Sequence, residues 1–375
     1  MSSLKVNIFT PQELNHSSYI QTGLFELEKE GFLSTKVKLS LSKRLGTIKV
    51  GNNNFFETNE PHPKTSFYEL EDTNNGKKIK FATDLYDASH SFSTYALEHC
   101  DFVFKRNYEA KKIEKLPNEF QKKIFPLGLT FKVKPDTNNG SFKLFLGLLL
   151  TNVIISIKID RHLLRRVFRS MKKQFYHWTN FKKSSNLIHY SENTVDTQNT
   201  ILFQTRCFVN EDSQDVKEIH QQRYNIIKLL REKFPQNFVG GFIPSKVVNE
   251  KYKKAITNLP TDPLAYLNEI KKAKIVIYTR GLINSPAWKM AEYLSQGKVI
   301  IAEKLTVELP IPLTDGKEVL FFENEDEIPV IIESIINNDE ECVEFAKNAK
   351  NYFEQNVHPK QNVKRILTFM LKNNY

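Results

Sequence analysis

Cysteine is scarce in this sequence. Cys100, Cys207 and Cys342 are the only three in 375 residues. They are odd in number and widely spaced, which excludes a disulfide framework or a zinc cluster and fits a reducing cytoplasm. No apolar core followed by a cleavage site opens the chain, so no signal peptide is expected. The longest nearly apolar run, Leu144 to Ile157, has about 14 residues, short of the roughly 20 that span a bilayer. Gly-x-Gly-x-x-Gly, Gly-x-x-x-x-Gly-Lys-Ser/Thr, Gly-x-Ser-x-Gly, His-Glu-x-x-His and paired Cys-x-x-Cys motifs are all missing. That argues against the commonest dinucleotide, P-loop, serine-hydrolase and zinc chemistries. No repeat of fixed period is present.

What is there reads as a soluble globular protein of two domains. Hydrophobic residues make up 40% and charged residues 26%, and each half is long enough to bury its own core. The net charge of +11 favours polyanions such as anionic lipid or phosphorylated substrates. The densest positive charge sits on one amphipathic segment and no DNA or RNA motif accompanies it, so no nucleic-acid partner is expected.

The first half predicts strands at Val6–Phe9, Lys36–Leu41, Ile79–Asp87 and Asp101–Arg106, with helices over Ser18–Lys29 and Ser93–His99. The Asn-, Pro- and Thr-rich stretch Asn52 to Asn75 predicts a loop. Strands separated by helix-sized patterns predict a parallel α/β sheet. From Lys158 the chain turns strongly basic. On a helical wheel, 161–178 puts Leu163, Leu164, Val167, Phe168, Met171, Phe175 and Trp178 on one side. Arg161, Arg165, Arg166, Arg169, Lys172 and Lys173 fall on the other, and Gln174 is the one polar residue inside the apolar side. Such a helix suits the interface of an anionic membrane; the alternative is an ordinary surface helix packed on the core.

Asn186 to Asn199 is polar and reads as a linker. The second half predicts a doubly wound sheet with strands at Thr200–Thr205, Phe238–Phe242, Lys274–Thr279, Lys298–Ala302 and Val319–Phe322. Helices are expected at 215–234, 285–295, 325–337, 339–353 and 361–372. Ligands in such sheets bind beyond the carboxyl ends of strands. There the stretch Thr279-Arg280-Gly281 runs into Ser285-Pro286, which reads as an N-cap with proline at the first helical position. A helix N-terminus so placed suits a diphosphate, Gly281 permits close backbone approach, and Glu292 is placed to accept from a ribose diol.

The stretch Lys289-Met-Ala-Glu292-Tyr-Leu-Ser-Gln-Gly297-Lys-Val-Ile-Ile-Ala302 resembles the Glu-Ala-x-Ala-x-Gly-x-Pro-Val-Ile-Ala segment of GT-B glycosyltransferases. Asp315-Gly-Lys-Glu-Val-Leu-Phe-Phe322 is similar to their Asp-Gly-x-Asn-x-Leu-x-Phe segment, and Phe345-Ala-Lys-Asn-Ala349 to an alanine-spaced helix that follows it. Leu202-Phe-Gln-Thr-Arg206 resembles a strand whose terminal arginine binds the donor diphosphate, a task that suits a planar fork. The resemblance covers about the last hundred residues well and the first domain by general pattern only. It departs at Asn284, where many retaining members carry a second glutamate, at Val299 for a usual proline, and at Glu211 for a usual lysine.

The resemblance implies an α/β fold with two Rossmann-like domains facing across a cleft. Residues 1–190, with the basic segment 158–183, would bind the acceptor. Residues 191–355 would bind the nucleotide sugar, and 356–375 would form a helix crossing back. The expected donor contacts are Arg206, Arg280, Gly281, Ser285, Lys289 and Glu292, with Arg280, Lys289 or Arg223 standing in for the missing lysine. A UDP- or GDP-sugar is expected before a CMP-sugar, and neither cofactor nor metal is required.

Candidate general bases in the first domain are Asp84, Asp87 and His90, because they follow a strand end. Lys105 and Arg106 are candidate phosphate or acceptor contacts, and His16-Ser17-Ser18 fits an acceptor loop. The expected role is sugar transfer to a glycan or lipid-linked acceptor, in the cytoplasm or at the inner face of the membrane. The rival readings are a CDP-linked polyol-phosphate transferase and a non-catalytic membrane-binding partner.

Overall fold

The computed structural model describes all residues except 1, 2, 13, 52–54, 137–144, 148, 151–160, 193–196, 209–212, 374 and 375. Much of the apolar run 144–157, part of the expected linker, and Glu211 therefore lie outside the described residues. The chain divides into two compact units. One comprises Met1–Leu187, Glu308–Pro310 and His358–Tyr375; the other comprises Ile188–Val307 and Ile311–Val357.

The first unit is built on a six-stranded sheet of order β2-β1-β5-β6-β8-β9. Its strands are β1 (Leu4–Thr10), β2 (Ser34–Leu39), β5 (Thr65–Asp72), β6 (Lys78–Asp84), β8 (Phe102–Lys105) and β9 (Ile124–Pro126). A small antiparallel sheet joins β3 (Thr47–Val50), β4 (Phe55–Thr58) and β7 (Ser91–Ser93). The expected loop over 52–75 thus contains two strands. Polar flanks hide the short apolar stretch Phe67-Tyr-Glu-Leu70, whose Phe67, Tyr68 and Leu70 are buried. The sheet is also mixed rather than parallel. The turn Thr73–Lys77 between β5 and β6 closes with Asp72 N–H on the Lys77 carbonyl at 3.0 Å. So short a connection can only make an antiparallel pair, and β5 runs against β1 as well.

The helix Pro359–Asn373 counts with this unit and packs on the helix Leu14–Lys29. Gly23 makes that contact possible, since a Cβ there would sit 2.4 Å from the Pro359 carbonyl oxygen. Asn362 Nδ2 donates to the Tyr19 hydroxyl at 3.0 Å and to the Leu127 carbonyl at 3.1 Å.

The second unit carries a five-stranded, wholly parallel sheet of order β11-β10-β12-β13-β14. The strands are β10 (Gln198–Thr205), β11 (Phe238–Phe242), β12 (Ala273–Tyr278), β13 (Val299–Glu303) and β14 (Leu320–Phe322). Ile275, Val276, Ile277, Ile300 and Ile301 are fully buried, as a parallel sheet covered on both faces requires. Sequence reading passes over several helices here, the longest being Pro263–Lys272. Asp262 caps it, accepting from Leu264 and Ala265 N–H at 3.1 Å, with Pro263 in the first turn. The three cysteines are buried.

Alanine is a better helix former than glycine, yet Gly23→Ala is expected to lower stability by about 1–3 kcal/mol through the clash with Pro359. Urea unfolding reads the change, and a more stable variant would mean the two helices are not in this contact.

Candidate donor site

In the order of the parallel sheet, direction reverses between β10 and β12, and open α/β sheets bind ligands in the crevice at such a reversal. The pairing of Leu202 with Val276 brings the two strand ends together. Arg206 follows one end, and Thr279 and Arg280 follow the other.

Arg206 is exposed, with its guanidinium 5.5 Å from the Phe208 ring centre. Lys289 comes from the helix Trp288–Ser295 and is held by the Gln204 carbonyl and by the Tyr266 hydroxyl at 2.6 Å. Burial depresses its ammonium to about 7; Glu292 opposes the fall, while Arg223 and Arg206 add to it. The Glu292 carboxyl is pushed up by burial and drawn back by Lys289. Lys289 thus stands within electrostatic reach of both Arg206 and Glu292. Tyr266 and Tyr293 complete the floor, their hydroxyls 3.3 Å apart.

Arg280 is differently employed. Its guanidinium meets Asp215 at 2.5 Å and Glu303 at 3.4 Å, and its N–H donates to Glu303 at 2.9 Å. Two carboxylates neutralise it, so the expected phosphate contact is replaced by a loop anchor.

The expected cap at Ser285-Pro286 is also corrected. Ile283 and Asn284 adopt φ of 52° and 56° and fold the loop back. The Ser285 carbonyl then accepts from Gly281 N–H at 2.8 Å. A Cβ on Gly281 would lie 2.8 Å from Ser285 Oγ and 3.0 Å from the Ser285 carbonyl oxygen, so a larger residue there would crowd this closure. The helix begins later, with Ala287 as its N-cap and Ala287 N–H donating to the Tyr278 hydroxyl at 2.8 Å.

A sequence model described as "Glycosyl transferase-like" matches residues 223–368. Those residues form a glycosyl transferase-like domain. The match falls on the half of the chain whose motifs carry the resemblance. Among solved structures, the chain is similar to the C-terminal domain of a glycosyl transferase group 1 family protein, LpcC, from Francisella tularensis. Identity is 14%, coverage 43% of this chain and 87% of that one, and the TM-score 0.31. It is also similar to Anabaena Alr3699/HepE, solved in complex with UDP, at 11% identity, 71% and 91% coverage and a TM-score of 0.34. A glycosyltransferase from Rickettsia africae ESF-5 aligns at 12% identity over 73% of this chain and 64% of that one, with a TM-score of 0.38. At such scores these likenesses carry no argument. No curated protein matches in sequence.

Apart from this glycosyl transferase-like domain, the first unit holds the proposed bases, and two of the three are engaged. Register sets Asp84 of β6 beside Lys105 of β8. They are 1% and 0% exposed. Lys105 Nζ gives its three protons to Asp84 Oδ2 at 2.8 Å, the Ser91 carbonyl at 2.8 Å and the Ala88 carbonyl at 3.2 Å. Burial pushes the Asp84 carboxyl up, but the Lys105 ammonium and His62, 3.3 Å away, outweigh it and hold the group well below the usual range. Asp84 is a buried ion-pair partner and not a base, and Lys105 has no proton left for a phosphate.

Asp87 lies between Lys64 at 2.5 Å and Arg106 at 3.0 Å, which occupies both Asp87 and Arg106. His90 is half-buried. Burial, together with Lys112, Lys105 and Lys49, lowers its pKa, leaving a neutral imidazole at physiological pH. His16, Ser17 and Ser18 lie within the helix Leu14–Lys29, not in an acceptor loop, and Ser17 Oγ accepts from Gln21 at 2.8 Å.

The basic segment forms the helix Leu163–Lys182. Its apolar side is divided: Leu163, Val167 and Trp178 are half-buried, whereas Leu164 is 84% exposed, Phe168 71%, Met171 43% and Phe175 61%. Gln174, the polar exception, is buried. No helix among the described residues is long and apolar enough to cross a membrane.

Sequence reasoning missed Asp215, Glu303, Tyr266 and Gln204. Only the strand pairing and the helix packing bring them to this point, and no local motif marks them.

Removing one partner of a buried ion pair leaves the other uncompensated. Asp84→Asn should therefore cost roughly 3–5 kcal/mol of stability, read by thermal or urea unfolding. Because the folded pKa of Asp84 is lowered, its contribution is present above the carboxylate pKa of the unfolded chain and is lost as the pH falls below it. The variant should show a flatter acid limb, and an unchanged limb would contradict the pair.

Proposed function

We propose that the protein is a glycosyltransferase that takes its sugar from a nucleoside-diphosphate donor, UDP- or GDP-linked rather than CMP-linked, bound at the β10–β12 crevice. The observation that carries this reading is that Arg223 and Lys289 both bond backbone carbonyls at the end of β10, those of Arg206 and Gln204, where the Arg206 side chain is exposed, with Glu292 within electrostatic reach of Lys289. The exposed Arg206, backed by the buried Arg223 charge, forms a receptor for a diphosphate and stabilises the charge that develops on it as the glycosidic bond breaks. Glu292 is the group to accept from the ribose. In the first unit His90 carries the available proton-accepting form, and we assign it that role toward an acceptor hydroxyl. No step in this scheme calls for a metal.

Arg206→Ala and Glu292→Ala should each abolish hydrolysis or transfer of the sugar nucleotide, with the circular dichroism and melting temperature of the wild type. Full turnover in both variants would remove these assignments. Failure of the wild type to bind UDP, GDP or CMP in calorimetry would favour a non-catalytic partner, and turnover with a CDP-linked polyol would favour the phosphotransferase.

We further propose that the helix Leu163–Lys182 rests on an anionic bilayer, so that the enzyme works from the cytoplasmic side on a glycan or lipid-linked acceptor. The exposed apolar stripe supports this over packing on the core, because a core-packed helix would bury that stripe. Flanking arginines and lysines suit anionic headgroups. Phe168→Asp should release the protein from phosphatidylglycerol vesicles in a flotation assay, and added salt should weaken wild-type binding. Equal binding to neutral vesicles, or no effect of the substitution, would contradict the proposal.

A further inference from the structure

Arg223 lies on the helix Gln214–Lys233 and is 4% exposed. A guanidinium removed from water is costly unless a counter-charge or a full set of acceptors meets it. Here the acceptors are neutral. Nη1 donates to the Arg206 carbonyl at 2.7 Å, Nη2 to the Arg280 carbonyl at 2.9 Å and Nε to Thr279 Oγ1 at 3.2 Å. Burial, and next the Arg206 charge, lower its pKa to about 10, so it remains a cation at neutral pH.

The two carbonyls belong to the segments that leave β10 and β12 at the reversal. Beyond Thr205 and Tyr278 the ladder hydrogen bonds end. One rigid fork replaces them, tying together the two strand tips that border the crevice. Holding the Arg206 carbonyl also fixes the peptide plane after Arg206, and so the direction from which its side chain departs. Arg223 and Arg206 share the Phe208 ring, at 5.2 and 5.5 Å from its centre. Two like charges at one ring repel each other, and an arriving dianion relieves that repulsion.

We infer that Arg223 is a positioning residue of the donor site: it holds the two strand tips in register and keeps Arg206 directed at the diphosphate without touching the donor itself. The inference rests on the donor-site reading above. The same helix supplies a control. Arg231 is likewise satisfied by carbonyls, those of Gly240 at 3.1 Å, Ile256 at 2.9 Å and Lys254, but it pins the β11 side of the sheet and not the crevice.

The test compares the wild type with Arg223→Gln, Arg223→Lys and Arg231→Gln, using UDP and GDP and the nucleosides uridine and guanosine as calorimetric or NMR probes. Arg223→Gln should weaken nucleoside-diphosphate binding by about tenfold or more, as for loss of one charge-assisted contact network, and leave nucleoside binding within about twofold. Arg223→Lys keeps the charge without the fork and should fall between the two, which preserves the test if the glutamine variant does not fold. Arg231→Gln should lower the melting temperature and leave the ratio of nucleoside-diphosphate to nucleoside affinity unchanged. Equal losses for nucleoside and nucleoside diphosphate in both Arg223 variants, or no loss for either, would overturn the positioning role. A wild type that binds neither UDP nor GDP would overturn the donor site itself, and the inference with it.

Discussion

In a parallel sheet the backbone is satisfied within the strands and abandoned at their ends. Where strand order reverses, two neighbouring ends diverge and leave a crevice that the ladder cannot hold. In this protein that gap lies beyond β10 and β12, and side chains from two helices and the loop after β12 fill it. Arg223 secures the carbonyls on either side, Lys289 secures Gln204, and Arg280 is held by Asp215 and Glu303. Only the last of these uses carboxylates. The crevice therefore keeps an excess of positive charge in a partly dehydrated place, where a phosphate gains most from it.

The first unit answers a similar need with a similar device. Arg44 is 9% exposed and meets the Thr10 and Pro11 carbonyls at the end of β1 at 3.4 and 3.3 Å, against the Phe67 ring. Burial lowers its pKa to about 10. At the ends of β6 and β8 the unit turns to paired charge instead, with Asp84 against Lys105 and Asp87 between Lys64 and Arg106. Such networks fix the strand ends but leave little unspent chemistry. That contrast separates strand ends whose charges are paired from a crevice whose cations meet mostly neutral carbonyls.

Much of the second unit was legible in its sequence. Ile-Val-Ile and Val-Ile-Ile runs mark buried parallel strands, and each strand end there falls within a residue or two of its expected place. The first unit was harder to read, because β5 alternates Phe67, Tyr68 and Leu70 with acidic residues between polar flanks. Its hairpin with β6 also reverses a strand that pattern alone cannot orient. At the site, sequence named Arg206, Lys289 and Glu292, of which Lys289 lies within electrostatic reach of the other two. It also named Arg280, Asp84 and Lys105, whose charges are matched by partners distant in sequence. A residue type and its position after a strand do not say whether a counter-charge will arrive from 21 or 65 residues away, as Asp84 does for Lys105 and Asp215 for Arg280. The Ser285-Pro286 cap failed for a local reason, since two left-handed residues turn the loop inward before the helix can start.

The claim that most else depends on is that a nucleoside diphosphate occupies the β10–β12 crevice. Hydrogen–deuterium exchange with and without UDP or GDP measures this most directly. The account predicts protection confined to the ends of β10 and β12, around 204–208 and 279–295, with the rest of the second unit unchanged. Protection elsewhere with none in these segments would contradict it.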